Sequence, residues 1–306
     1  MKVGYAAALK FLRNGASVTA TTRLPAIALA QFRKEPDYED WGNRLIIHGL
    51  DLRDLPAVEA FLDKFISEHE HLDVLVNNAA QTIRYPDSYY APLISQEFEL
   101  LKEPNIRNLV HANKTEITDG QSTLPSGEKH SRFVPNRFGQ PIDKRDKTSW
   151  NSSLAEIDFR ELLEVNLINQ ISPFLIIQKL TPLLKNTPLD KSFIINVTSS
   201  EGQFSYLNKS IYHPHTNMTK ASLNMLTRTS GSDLAKERIF MNAVDVGWIS
   251  TGAIEPLREK QFLKGYIPPL APIDGASRIL APILDELEKS TGTSGSLFKN
   301  YRISDW

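Results

Sequence analysis

Ser192–Thr198, "SFIINVT", runs into "SSEG" at Ser199–Gly202. It is short and rich in Ile and Val, the pattern of a strand buried on two sides in a parallel sheet. Working outward, similar runs occur at Ala16–Thr22 ("ASVTATT"), Arg44–Leu52 ("RLIIHGLDL"), Leu72–Asn77 ("LDVLVN") and Phe240–Val246 ("FMNAVDV"). Helical patterns fall between them, over Tyr5–Asn14, Pro56–Glu68, Phe159–Lys185, Asn217–Arg238 and Gly275–Glu288. On the Asn217 helix, Leu223, Leu226 and Leu234 mark the expected apolar stripe. This alternation predicts a single α/β domain over residues 1–306, with a doubly wound parallel sheet covered on both faces.

The chain has 306 residues, 41% of them hydrophobic, and a formal net charge of -1. That length carries a substantial core. Near-neutrality removes any global attraction to nucleic acid or anionic membrane, so neither is expected as a partner. The sequence contains no cysteine, which excludes disulfides, thiolate nucleophiles and cysteine metal sites. No apolar run approaches a membrane span and no signal-peptide core follows Met1, so a cytoplasmic location is expected.

Two irregularities interrupt the pattern. Residues 81–157 are too long for an ordinary connection and read as an insertion, with a helix near Ile94–Lys102 and then a polar tract from Asp119 to Lys147. A surface excursion is the first reading of that tract; a lid or a partner-binding arm is the other. The second irregularity is that "MKVGYAAALKF" starts almost at once with a helix. A doubly wound sheet ordinarily opens with a strand and a glycine-rich turn, so both are expected to be missing, as in a truncated chain. Their loss would leave two unpaired edges in the sheet.

"LDVLVNNAAQ" ends a strand in small residues, which lets a ligand approach the backbone. In "GLDLRD", Asp51 reads as a cap for the helix starting near Leu55. Either stretch alone is equally well an ordinary turn. The succession "NNAA", "ELLEVNLINQISPF", "IINVTSSEG", "HTNMTKAS", "NAVDVGWIST" is far more specific. It resembles the short-chain dehydrogenase/reductase family from about Gly4 to the C-terminus, interrupted by the insertion.

The resemblance implies a Rossmann-type fold, a dinucleotide cofactor, a small-molecule substrate and a homo-oligomer joined through the helices at Phe159 and Asn217. It implies that Gly4 is the last glycine of the phosphate turn and that Asn77 and Ala79 lie beside the adenosine. Asp51 and Leu52 would flank the adenine, Thr251 the carboxamide of the nicotinamide, and Lys220 the nicotinamide ribose. Asn166 would hold a water of the proton relay and Ser199 would hydrogen-bond the substrate oxygen. Taken singly, Asn166 reads as a satisfier of backbone groups, Ser199 as a turn residue and Lys220 as a solvated helix charge. Arg23 follows the second strand, where an acidic residue would bind the ribose 2′-OH of NAD. "TTR" with no acid nearby instead suits a 2′-phosphate, which favours NADP(H) over NAD(H).

The catalytic tyrosine of the family is expected one helical turn before the lysine, and Thr216 stands there. A threonine hydroxyl is far less acidic than a phenol and is a poor proton shuttle. Tyr212 stands after Ser199 at a spacing many family members show, yet Pro214 intervenes and separates it from the face of Lys220. His213 and His215 are further titratable candidates; a plain exposed loop ranks above all three residues, and no third ligand accompanies the histidines, so no metal site is expected. The readings are thus an NADP(H)-dependent oxidoreductase acting on an alcohol or carbonyl, a catalytically lapsed binding or interaction scaffold, and a fragment without function of its own.

Overall fold

The computed structural model describes residues 3–111, 141–143, 145–207, 209–249 and 255–306. Most of the polar tract and Thr251 therefore lie outside the described residues. The strands are β1 (Val18–Thr22), β2 (Leu45–Gly49), β3 (Val74–Asn77), β4 (Val110–His111), β5 (Ser192–Thr198), β6 (Ile239–Asp245), β7 (Leu297–Lys299) and β8 (Arg302–Ser304). Together with the helices between them they form a Rossmann-like α/β fold with parallel sheets. The described chain divides into two compact units, one of residues 1–7, 52–84 and 145–306, the other of 8–51 and 85–144. No helix among the described residues is long and apolar enough to cross a membrane.

The first unit holds a sheet in the order β3-β5-β6-β7-β8. All residues of β5 and β6 are buried, and the two strands pair in parallel along their whole length. Ile177, Leu184, Ile194, Ile239 and Met241 form a core against which Leu226 and Leu234 pack. The helix Pro214–Ala235 nonetheless departs from the expected apolar stripe. Its buried face is largely polar: Thr216, Thr219, Lys220, Asn224 and Thr227 join Leu223. Pro214 occupies the first turn of this helix, where its missing N–H costs nothing, so the helix begins earlier than expected.

The Phe159–Lys185 pattern is not one regular helix. It is α-helical over Phe159–Asn166, a π turn over Leu167–Ile171 and α-helical again over Ser172–Lys185. Pro173 has no N–H for the Asn169 carbonyl, and its ring would crowd that carbonyl at α spacing. The wider turn relieves the clash, with Ser172 N–H bonding to Leu167 O.

The second unit carries the sheet β1-β2-β4. Leu12, Ala26, Leu29, Phe32, Trp41 and Ile47 form its core. The insertion contributes the helix Asp87–Leu101, longer at its start than expected, and β4. Among the described residues β1 pairs only with β2, and β3 only with β5. The unexpected β7–β8 hairpin turns at Asn300 (φ 49) and Tyr301 (φ 65), the left-handed pair that a two-residue hairpin loop requires.

Below the sheet of the first unit, Lys191 Nζ lies 2.6 Å from Glu286 Oε1, and Glu286 is 1% exposed. Burial pushes the Glu286 carboxyl up, but Lys191, the Thr291 hydroxyl and the Thr293 N–H outweigh it and hold it below the usual range. A depressed carboxyl stabilises the fold above its unfolded pKa, and the contribution is lost as pH falls through the folded value. Glu286→Ala deprives the half-buried Lys191 ammonium of its carboxylate and is expected to cost about 1.5–3 kcal/mol at neutral pH, measured by denaturant unfolding. The loss should shrink as pH drops below about 4.

Candidate functional site

β5 ends at Thr198, and the chain turns through Ser199 into the 3₁₀ turn Ser200–Gly202. The helix Pro214–Ala235 crosses directly over that turn. A Cβ on Gly202 would stand 2.8 Å from the Lys220 backbone carbon and 2.9 Å from the Lys220 Cβ, so only glycine fits. Asn224 Nδ2 donates to Gly202 O at 3.0 Å and locks the approach.

Lys220 is therefore not the solvated charge that its sequence context also allows. It is 7% exposed, and its ammonium donates to Val197 O at 2.8 Å. Burial lowers its pKa, Glu201 and Asp245 pull it partly back, and it comes to rest at about 8. Thr216 sits one turn before it, buried, with no hydrogen-bond partner for Oγ1 among the described residues.

Tyr212 precedes the helix and is 42% exposed. His213 fixes that orientation: it adopts a left-handed backbone (φ 42), its Nδ1 lies 2.8 Å from Trp150 O, and its ring stacks on Trp150 at 4.6 Å. The exposed-loop expectation holds for Tyr212 and fails for both histidines, which are buried. His215 Nε2 is 3.9 Å from Glu161 Oε1, and neither ring nitrogen is hydrogen-bonded among the described residues. Burial pushes the Glu161 carboxyl up, while His215, the Ser149 hydroxyl and the Arg84 N–H together hold it below its ordinary value.

The asparagines of "VNLIN" separate sharply. Asn166 bonds within its own segment, donating to Leu162 O at 2.7 Å and accepting from Gln170 at 2.5 Å. Asn169, in the π turn and 1% exposed, accepts from Gln81 N at 2.8 Å and donates to Gln81 O at 2.9 Å and to Thr219 Oγ1 at 3.0 Å. Sequence reading passed over Asn169; the signal available was its place before "SPF", where Pro173 forces a break in the helical period.

At the end of β3, Asn77 Nδ2 donates to Asn196 Oδ1 at 2.8 Å, and Asn196 donates to Thr227 at 2.9 Å. Ala79 and Ala80 beyond them are exposed and small. A Cβ on Gly4 would meet Asn78 Nδ2 at 2.5 Å, which places the first helix against this strand end. Leu52 O accepts from Ser172 at 2.6 Å. The cap of the Leu55–Glu68 helix is Asp54, whose Oδ1 accepts from Ala57 N, and not Asp51, which is buried in the second unit. Also in the second unit, Arg23 Nη2 lies 3.3 Å from Tyr90 Oη. No group of three or more His, Asp or Glu among the described residues is arranged to hold a metal.

Comparison with known proteins agrees with this architecture. A family model described as short chain dehydrogenase matches residues 3–119, and one described as enoyl-(acyl carrier protein) reductase matches residues 146–277. Uncharacterized protein R665 of Acanthamoeba polyphaga mimivirus is 32% identical over 295 residues, covering 92% of this chain and 61% of that protein. The NADP-dependent 3-hydroxy acid dehydrogenase YdfG of Escherichia coli O6:H1 is 28% identical over 105 residues, 34% of this chain and 39% of that one. The chain thus spans less than two thirds of the length of either relative. A Caenorhabditis elegans short-chain dehydrogenase/reductase solved with cofactor shares the fold at a TM-score of 0.61 and 18% identity, covering 96% of this chain and 88% of that one. NADPH-bound carbonyl reductase from chicken fatty liver does so at 0.58 and 18%, covering 100% and 95%. With these matches joined to the strand-end motifs, the chain belongs to the short-chain dehydrogenase/reductase family.

Proposed function

We propose that the chain is an oxidoreductase that interconverts an alcohol and a carbonyl of a small molecule, using NADP(H) in preference to NAD(H). The observation that carries this reading is Lys220, a buried ammonium titrating at about 8 at the end of β5, one turn from the unpartnered hydroxyl of Thr216. Within the first unit the residues fit part of a dinucleotide: Ala79 and Ala80 leave the end of β3 open, and Lys220 uses one of the three donors an ammonium has. Within the second, Arg23 has no carboxylate partner among the described residues.

NADP(H), when bound, supplies or accepts the hydride. Gly4, Asp51, Leu52, Asn77, Ala79 and Thr251 keep the cofactor-holding roles implied by family resemblance, and Arg23 takes the 2′-phosphate. The relatives described as NADP-dependent or NADPH-bound support that preference. Ser199 donates a hydrogen bond to the substrate oxygen. Thr216 is too weak an acid to supply the proton alone, so in the reduction it relays, with water, the proton that Lys220 gives up to the substrate oxygen, and in the oxidation the proton returns to Lys220, whose pKa near working pH suits both directions. The water-holding role passes from Asn166 to Asn169, whose amide is fixed at both ends. Exposed Leu163, Ile171, Phe174, Met218 and Met225 support self-association through their helices.

A second reading has its own observation. With the Tyr212 ring exposed and Thr216 at the tyrosine position, the fold also suits a dinucleotide-binding scaffold without chemistry. Thermal unfolding with NADPH, NADH or neither separates binding from its absence. At 100 times its Kd a ligand stabilises by about 2.7 kcal/mol, and the shift is expected with NADPH. Carbonyl reduction by the bound form should fall as pH rises through about 8, and Lys220→Ala should lose about 10²-fold or more in kcat. A thermal shift with no turnover on any carbonyl would favour the scaffold; turnover unaffected by Lys220→Ala would remove the proton path.

A further inference from the structure

The ends of β5, β6 and β7 come level: Thr198 pairs with Asp245, and Asp245 with Lys299, in parallel register. Lys299 Nζ lies 3.4 Å from Asp245 Oδ2, and Asp245 Oδ1 accepts from Gly247 N at 2.8 Å. The same ammonium donates to Gln203 Oε1 at 2.7 Å and stands 5.2 Å from the centre of the Tyr206 ring. Gln203 is buried, and its Nε2 donates to Asp305 O at 3.0 Å and to Ser304 Oγ at 3.3 Å. One cation therefore joins the end of β6 to the segment that follows the Ser200–Gly202 turn. All of these residues belong to the first unit.

Lys220 stands one strand away, its ammonium on Val197 O beside Thr198. Two carboxylates act on it, Glu201 from the turn and Asp245 from β6. Each is opposed by another lysine. Lys209 donates to Ser200 O and Glu201 O and feels the Glu201 charge, while Lys299 holds Asp245. On the helix of Lys220 itself, His213 and His215 face Trp150 and Glu161 instead. A carboxylate tied to one cation presents less of its charge to a second, so what Lys220 feels from Asp245 depends on Lys299.

We propose that Lys299 is a positioning residue of the candidate site: it tempers the charge that Asp245 presents to Lys220, and through Gln203 it ties the chain after Gly202 to the β7–β8 hairpin. The inference rests on the reading of Lys220 as the proton donor and adds a residue that acts on it from β7. Without Lys299 the Asp245 carboxylate faces Lys220 uncompensated, and the ammonium holds its proton more tightly. Reduction of a carbonyl needs that proton released, so Lys299 keeps the donor ready to give it up.

The test follows acetic anhydride labelling of Lys220 against pH in the full chain, read by mass spectrometry, a signal that needs neither cofactor nor turnover. The midpoint is expected at about 8 in the unaltered chain. Lys299→Met should raise it by about half a pH unit or more, and Lys299→Arg should keep it in place. Gln203→Leu cuts the tie without changing a charge. It should leave the midpoint alone and speed amide exchange over residues 203–207 by about tenfold. Lys299→Gln replaces Lys299→Met if that variant does not fold. An unmoved or lowered midpoint in the neutral Lys299 variant would overturn the proposal. An equal rise in Gln203→Leu would do so too, because loosening and not charge would then be the cause. Unchanged exchange over residues 203–207 in both variants would remove the tie and overturn it as well. If the labelling midpoint rises as expected but the pH profile of carbonyl reduction does not follow it, the proposal stands and the proton path through Lys220 falls.

Discussion

One buried amide ties the candidate site together. Asn169 binds the backbone N–H and C=O of Gln81 and reaches Thr219, whose own hydroxyl donates to Thr216 O. The residue after the "NNAA" strand end, the π turn and the first turns of the Pro214–Ala235 helix thus share a single side chain. Backbone groups buried without a partner cost about 1–3 kcal/mol each, so this arrangement has few alternatives of similar energy. The position of Thr216, and of Lys220 one turn further on, follows from it.

The polar buried face of that helix has the same logic. Thr227 accepts from Asn196, which accepts from Asn77, so a ladder of side-chain amides crosses from β3 through β5 to the helix. Such a network specifies one register of helix on sheet, where an apolar face would tolerate sliding. Gly231 adds a steric limit: a Cβ there would lie 2.4 Å from the Gly295 backbone. Close contact plus a satisfied network leaves Lys220 little freedom, and burial then sets its acidity.

The strands at the centre were legible because burial on two faces writes itself as a short, mostly apolar run, as in Ser192–Thr198 and Phe240–Val246. Legibility failed where the deciding contact is remote or the period changes. Asn166 and Asn169 look equivalent on a helix of constant pitch, and only the π turn that accompanies Pro173 distinguishes them. Glu97 caps the Pro25–Phe32 helix through Ala26 N from far along the chain, and no local pattern announces a cap borrowed from an insertion. The Asn300–Tyr301 hairpin lacks the glycine that usually marks such a turn. His215 reads as a loop histidine because Pro214 beside it suggests a break, whereas Pro214 begins the helix.

The Leu167–Ile171 turn also bears on how the chain tolerates changes in length. A π turn stores one residue beyond what an α-helix of the same rise needs. Removing one residue there would let the segment relax to regular pitch with the flanking helices left in their orientation, but it would return the Pro173 ring to the carbonyl four residues before it. Adding a second residue would instead turn everything on one side by about 100° relative to the other, and Glu161 and Asn169 could not both keep their partners. The segment should therefore resist insertion more than deletion.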